Sequence, residues 1–211
     1  GGSLPQGLVG GLAAQGCLGP QNRNVEMSIF FWPMGNYRNN DSLKVILSDI
    51  ERISPKTGDI EAKVTGFYTN SHFNYKFAHD NNADDAVMLD VNGNVAEVSS
   101  ANIFIVKNGQ IITPKTGYIL KGITRSSVIS IAKQELFIDV TERVVTPDEL
   151  EDADEIFLTG TAAQIDAVTE YNEKAVGTGK VGNVTKKLQQ IYSDVTLGKR
   201  EEYLRWHSFI A

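Results

Sequence analysis

The sequence predicts an α+β domain built on an antiparallel or mixed sheet with flanking helices. Two observations carry this reading. Asn92-Gly93 and Asn108-Gly109 each separate two runs of strand-forming residues, Ala86–Leu89 from Val95–Val98 and Ile103–Val106 from Gln110–Ile112. An Asn-Gly pair suits a type I′ turn because both central residues take φ > 0, so each pair announces an antiparallel hairpin. Elsewhere apolar residues recur at helical spacing. Val184, Leu188, Ile191 and Val195 lie at i, i+4, i+7 and i+11, a stripe for burial ended by Gly198. At 211 residues and 41% hydrophobic content, the chain can bury a substantial core as one large or two small domains.

The elements follow in order. Residues 1–20 hold seven glycines. They lack the basic start and compact apolar stretch of a secretory signal and read as a flexible lead-in, with Gly1-Gly2-Ser3 compatible with an expression scar. Val25 to Trp32 is rich in strand formers and stops at Pro33. Asn36 to Ser42 is a polar connector, and Leu43 to Leu47 is a second strand leading into a loop around Pro55 and Gly58. A helix is expected over residues 65–82, with Tyr68, Tyr75 and Ala78 in the core. Beyond the two hairpins, residues 124–136 form a helix with Val128, Ile131, Ala132 and Glu135 at helical spacing. Thr146-Pro147-Asp148-Glu149 is a capping box with proline at the first helical position. Ile156–Thr159 and Ile165–Thr169 are strands flanking a turn at Gly160.

Charge and cysteine content exclude several classes. Twenty-six acidic against 20 basic residues give a formal net charge of −6, and no basic cluster stands out, which argues against nucleic acid as a partner. No apolar run approaches the length needed to span a bilayer, so no membrane partner is expected. Cys17 is the only cysteine. An intrachain disulfide is therefore impossible, and a reducing cytoplasm is the expected home.

Four segments carry the chemistry. Lys63, in Glu61-Ala62-Lys63-Val64-Thr65-Gly66-Phe67-Tyr68, offers an amine, and Glu97, on a strand, a carboxylate. Gly122-Ile123-Thr124-Arg125 opens a helix, where free N–H groups and the macrodipole favour a phosphate. Gly160-Thr161-Ala162-Ala163 is a second Gly/Thr turn. An amine for a Schiff base, a carboxylate to keep a ring nitrogen protonated, and N–H groups with hydroxyls for a phosphate are what a phosphorylated pyridine aldehyde needs. Each piece alone has a plain alternative: a solvated lysine, a solvent-face glutamate, an N-cap threonine, a core tyrosine at Tyr68. Order and spacing raise them above that.

Lys63–Tyr68, Asp90–Glu97, Asn102–Val106, Leu120–Arg125, Ala153–Phe157 and Thr159–Ala163 together resemble the fold-type IV pyridoxal-phosphate enzymes, the class IV aminotransferases. The branched-chain amino acid aminotransferases are the most similar branch. The resemblance implies the large cofactor domain of that fold, a pseudo-barrel of antiparallel and mixed strands, with pyridoxal 5′-phosphate as cofactor. Lys63 would be the Schiff-base lysine and proton shuttle, Tyr68 the partner of the cofactor's phenolic oxygen, and Glu97 the partner of its ring nitrogen. Leu120 would pack on the ring. Gly122, the Ile123 and Thr124 amides and the Thr124 hydroxyl would cradle the phosphate. The Thr161 hydroxyl would reach the phosphate too, while the Thr161 and Ala162 amides would meet the substrate carboxylate. Phe67 stands where many relatives carry Asn.

The implied reaction moves the amino group of Leu, Ile or Val to 2-oxoglutarate. Amino acids and 2-oxo acids are then the small-molecule partners, and a homodimer or larger homo-oligomer the assembly. Residues 1–40 would hold the lead-in and a remnant of a small N-terminal domain that is mostly missing, and residues 41–211 the cofactor domain. The missing part carries the arginine that clamps the phosphate in relatives, so impaired activity is expected. An aminodeoxychorismate-type lyase, a D-amino acid aminotransferase and a non-catalytic cofactor-binding domain are the alternatives.

Other motifs carry less. Gly177-Thr178-Gly179-Lys180-Val181-Gly182 satisfies G-x-G-x-x-G, but Tyr171-Asn172-Glu173-Lys174 before it is a polar turn where a dinucleotide site needs a buried strand. Asp90-x-Asn92-x-Asn94 begins like a calcium loop, yet Gly93 is misplaced and no Glu stands at the twelfth position. His72, His79 and His207 show no ligand spacing with one another or with Cys17, and no metal site is expected.

Overall fold

The computed structural model describes Ser28 and residues 42–208; the strand expected over residues 25–32 and the Gly-rich lead-in lie outside the described residues. Nine strands form one mixed sheet among the described residues. They are β1 (Leu43–Leu47), β2 (Asp85–Leu89), β3 (Val95–Val98), β4 (Asn102–Lys107), β5 (Gln110–Pro114), β6 (Val140–Arg143), β7 (Glu155–Gly160), β8 (Gln164–Tyr171) and β9 (Lys174–Ala175). The helices are α1 (Tyr68–Asp80), α2 (Ile123–Glu135), α3 (Pro147–Glu151) and α4 (Asn183–Thr196). Strand order is β3-β2-β1-β8-β7-β4-β5-β6, with β9 on β8. The β1–β2, β1–β8 and β5–β6 pairs are parallel and the rest antiparallel. The sheet curls until its two ends touch. Val95 on β3, one edge, donates its N–H to the carbonyl of Val145, just past β6 at the other edge, at 2.9 Å. That closure is the expected pseudo-barrel.

Both faces of the central strands are buried, so they read as continuous apolar runs. Along β4 and β7, alternate residues serve two cores. Ile103, Ile105, Ile156 and Leu158 point to one, with Leu43, Val45, Val87 and Val168. Phe104, Val106 and Phe157 point to the other, beneath Val128 and Ile131 of α2 and Leu188, Ile191 and Val195 of α4. Phe104 and Phe157 are cross-strand partners whose rings stack 4.8 Å apart. The apolar stripes predicted for both helices are thus their buried faces.

Three local expectations change or sharpen. At the β4–β5 turn Asn108 (φ 50°) and Gly109 (φ 76°) are both left-handed, as a type I′ turn requires. At the β2–β3 turn only Gly93 is (φ 80°), and the connection is a five-residue loop. There the Asp90 carboxylate accepts the N–H groups of Asn92 (2.8 Å) and Asn94 (3.0 Å), an Asx-type turn that outcompetes the tighter hairpin. The helix expected over residues 65–82 begins as a 3-10 turn at Thr65–Phe67 before α1. Tyr68 and Tyr75, expected in the core, are 41% and 47% exposed. The reason is a close helix–sheet approach: α1 meets the sheet through Ala78, packed with Ala83 and Ala86, which turns both tyrosines away from the core. The capping box forms as predicted, with Thr146 and Glu149 capping each other's backbone.

The glycine run at residues 177–182 leads into α4, whose N-terminal donors already have an anion. Glu155 accepts the Val184 N–H (3.0 Å), the Thr185 N–H (2.8 Å) and the Thr185 hydroxyl (2.7 Å). A Cβ on Gly182 would overlap that carboxylate. A dinucleotide phosphate has no room here, and the carboxylate instead welds α4 to β7. Replacing it leaves three donors unanswered at a half-buried helix start. Glu155→Ala is therefore expected to destabilise the chain by about 2 kcal/mol, read as a lower urea midpoint; an unchanged midpoint would show that water serves these donors equally well.

Candidate active site

A cavity of about 250 Å³ opens where the end of β3, the start of β4, the end of β7 and the start of α2 converge, covered by the loop that leads into α1. Glu97 of β3 lies in its wall and is only 5% exposed. Three protein donors meet its carboxylate. Arg52 Nε donates to Oε1 at 2.7 Å, and Asn102 Nδ2 (3.0 Å) and the Leu120 N–H (3.1 Å) both donate to Oε2. An ionised carboxylate has about four acceptor positions. Three are taken by the chain, and Glu97 itself lines the cavity. Burial raises the pKa of Glu97 above the ordinary carboxylate value; Arg52, then the Leu120 N–H and the charge of Lys63, oppose that rise without cancelling it. An unanswered share of desolvation remains at this carboxylate, and a further N–H donor of positive charge would relieve it.

The same hydrogen bonds extend to the start of α2. Asn102 Nδ2 also donates to the Leu120 carbonyl at 2.9 Å, and that carbonyl accepts the Gly122 N–H at 2.9 Å. Gly122 is the N-cap of α2 in an extended conformation (φ −64°, ψ 135°) and has no side chain to cap the helix. The Ile123 and Thr124 N–H groups, in the first turn, have no acceptor within the helix, and both residues line the cavity. A Cβ on Gly122 would come 2.2 Å from Asn102 Oδ1. Glycine is therefore what lets the helix start approach the residue that holds Glu97. Thr124 is buried, with the Tyr192 hydroxyl of α4 at 3.4 Å from its Oγ1.

Lys63 reaches the cavity from a loop pinned by buried Ile60 and by turn bonds from Ala62 to Asp59 (3.1 Å) and from Val64 to Ala62 (2.7 Å). Lys121 and Glu61 form an exposed ion pair of 2.9 Å that ties this loop to the Leu120–Gly122 segment, a contact worth at most about 1 kcal/mol. Phe67 lines the cavity and lies against Gly58, where a Cβ would meet its ring at 2.4 Å.

Lys63, Tyr68, Glu97, Leu120, Gly122, Ile123, Thr124 and Thr161, singled out from the sequence, all line this one cavity; Ala162 does not. Sequence reasoning missed Arg52, Asn102 and Thr159. Asn102 had a readable signal, a lone amide at the head of the apolar run Ile103–Val106. Arg52 had none, being a single cation in an irregular loop. Thr159 is 1% exposed, and its hydroxyl is buried in the cavity wall with no partner among the described residues. A buried polar atom without a partner is rare in a folded protein and calls for an explanation.

The amine, the buried carboxylate and the uncapped helix start in one cavity suit an aromatic nitrogen cation that carries a carbonyl and a phosphate. Similarity to known proteins points the same way. The family description Amino-transferase class IV matches residues 8–171. A probable branched-chain-amino-acid aminotransferase of Aquifex aeolicus (strain VF5) is 39% identical over 183 residues, covering 86% of this chain and 59% of that protein. The branched-chain-amino-acid aminotransferase of Pseudomonas aeruginosa PAO1 is 38% identical over 190 residues, covering 88% and 62%. Among solved structures, the branched-chain aminotransferase of Thermoproteus uzoniensis with norvaline superposes with a TM-score of 0.80 at 37% identity over 84% of this chain and 59% of that one. The holo-form of the branched-chain amino acid aminotransferase from Thermobaculum terrenum gives 0.78 at 34% identity over 82% and 57%. The chain thus spans about three fifths of the length of the relatives it matches. By fold, by sequence and by the residues gathered in the cavity, it belongs to the class IV aminotransferases.

Proposed function

We propose that this chain forms the pyridoxal 5′-phosphate site of a branched-chain amino acid aminotransferase, which moves the amino group of Leu, Ile or Val to 2-oxoglutarate. Residues 41–211 act as its cofactor domain, in a cytoplasmic homodimer or larger homo-oligomer. The observation that carries the reading is buried Glu97, held by three donors, in one cavity with Lys63 and the uncapped start of α2. Relatives solved with N-(5'-phosphopyridoxyl)-L-glutamate and with norvaline support the same ligand class.

When bound, pyridoxal phosphate supplies an aldehyde for an amine to attack and a protonated ring that takes up electron density from the substrate's Cα. The chain's own residues do the rest. Glu97 would accept the ring N–H and so keep that proton in place. The Gly122 turn and the Ile123 and Thr124 amides, with the Thr124 hydroxyl, would hold the phosphate at the positive end of α2. Thr161 would add a hydroxyl from the β7 turn and its amide would meet the substrate carboxylate, with the Ala162 amide, outside the cavity lining, as the second donor of that turn. Leu120 would pack against the ring and exclude water, and the Tyr68 hydroxyl would bind the phenolic oxygen. Lys63 would bring the amine that meets the aldehyde and, as proton shuttle, would move the proton from the substrate's Cα to the former aldehyde carbon, C4′, of the cofactor.

Two outcomes test this. Pyridoxal phosphate followed by borohydride should leave a reduced adduct on Lys63, found by peptide mass mapping, and Lys63→Ala should leave none. An adduct spread over surface lysines, or its absence from folded protein, would sink the proposal. Gly122→Ala should push Asn102 off Glu97 and Leu120, destabilising the chain by about 1–3 kcal/mol and weakening cofactor binding. Because one contact is at issue, Gly122→Ala combined with Asn102→Ala should cost clearly less than the sum of the two single changes in a denaturant-based cycle. Strict additivity would show that the two residues do not meet.

A further inference from the structure

Of the cations that line the cavity, Arg52, Lys63 and Lys121, the first has no part in the roles above. Arg52 is 8% exposed, and its Nε lies 2.7 Å from Glu97 Oε1. Its Nη1 is buried and has no hydrogen-bond partner among the described residues. Among those residues its one ion pair is with Glu97. The arginine is itself fixed: its backbone N–H donates to the Leu89 carbonyl at 2.8 Å, continuing the line of β2 beyond the last residue of β1. A pair this deep is a poor device for stability, because the cost of desolvating two ions commonly matches their attraction, and an apolar pair of the same volume does as well. Its consequence lies in the state of Glu97.

We propose that Arg52 is the positioning residue of the site: its Nε–H holds the Glu97 carboxylate ionised and oriented, so that a ring nitrogen entering the cavity meets an anion and not a neutral acid. The purpose rests on the cofactor reading above; the hold on Glu97 does not. The groups that face Glu97 are few. Arg52 comes from the loop after β1, Lys63 from the loop before α1, the Leu120 N–H from the loop before α2, and the Asn102 amide from β4. On β3 itself its neighbours Val95, Ala96 and Val98 carry no charge. Burial drives the carboxyl towards proton uptake, and the charge and hydrogen bond of Arg52 are the two largest influences against it. Without them the neutral acid prevails over a wider pH range. A neutral Glu97 carries an O–H donor, and an entering ring nitrogen then accepts a hydrogen bond where it needs to keep a proton.

The test is the titration of the Glu97 carboxyl, followed by carbon NMR in the folded chain before cofactor is added, for the parent, Arg52→Gln and Arg52→Lys. The expected result is a midpoint at higher pH in Arg52→Gln, with Arg52→Lys between that and the parent. On adding pyridoxal phosphate, Arg52→Gln should bind about tenfold or more weakly, and the pH dependence of the bound cofactor's absorption should move with the Glu97 titration. An unmoved Glu97 midpoint in folded Arg52→Gln overturns the proposal and leaves the arginine a packing role, whatever its melting temperature does. If Arg52→Gln fails to fold, Arg52→Lys is read alone, where a midpoint above the parent supports the proposal and one equal to the parent overturns it. A shifted Glu97 in a chain that gives no borohydride adduct on Lys63 supports the hold on Glu97 and sinks only the cofactor reading.

Discussion

A carboxylate buried to 5% exposure is the constraint on which the rest of this site is arranged. Taking an ionised group out of water costs several kcal/mol unless other charges and dipoles replace the lost hydration. Glu97 receives that replacement from three parts of the chain that are far apart in sequence: Arg52, Asn102 and the Leu120 N–H. Each donor is fixed by a further bond or element. Arg52 is tied to Leu89 beyond β1, Asn102 starts β4, and Leu120 precedes α2. One carboxylate therefore organises two loops and a strand end around the cavity. Burial still raises its pKa above the ordinary carboxylate value, against the opposing charge and hydrogen bond of Arg52.

The fold makes this convergence possible by bringing its edges together. Glu97 sits on β3, an edge strand whose neighbour across the closure is the segment after β6, joined by the Val95–Val145 bond. The two cores, on opposite faces of the same strands, pack both sides of β4 and β7, whose ends reach the cavity. Ser99, at the corner between β3 and β4, donates its N–H to buried Asp85 at 3.1 Å, and so the corner that carries the cavity wall is fastened to β2. Rigidity of this kind matters to a site that works by orientation, because a displacement of about 1 Å can cost a hundredfold in rate.

Much of this arrangement was legible in the sequence, and the parts that were not share a cause. Sheet class, both helix stripes, the capping box at Thr146 and one of two type I′ turns follow from local rules, where the deciding neighbours are within a few residues. The β2–β3 turn departed from its Asn-Gly pair because a side chain, Asp90, offered the backbone a better partner. Tyr75 departed from its place in the core because α1 approaches the sheet through alanines, a fact about another element's surface. For the site, type and order single out Lys63, Glu97 and the Gly122 turn, which the fold brings to one cavity. Arg52 is not so singled out, since its meaning comes from a contact 45 residues along the chain with no pattern around it.

Glycine placement ties these levels together. At Gly122 the backbone conformation is ordinary and any residue could adopt it. What requires glycine is the Asn102 side chain, 2.2 Å from where a Cβ would be, and Asn102 is there because Glu97 and the Leu120 carbonyl hold both of its N–H bonds. At Gly182 the same logic gives the opposite result. A carboxylate from the chain itself fills the space at a helix start, and that helix keeps no capacity for an anion. Two glycine-led helices thus differ in one respect that decides their chemistry. In α4 the N-terminal donors are spent on holding the fold together, whereas the first residues of α2 line a cavity that a buried carboxylate also lines.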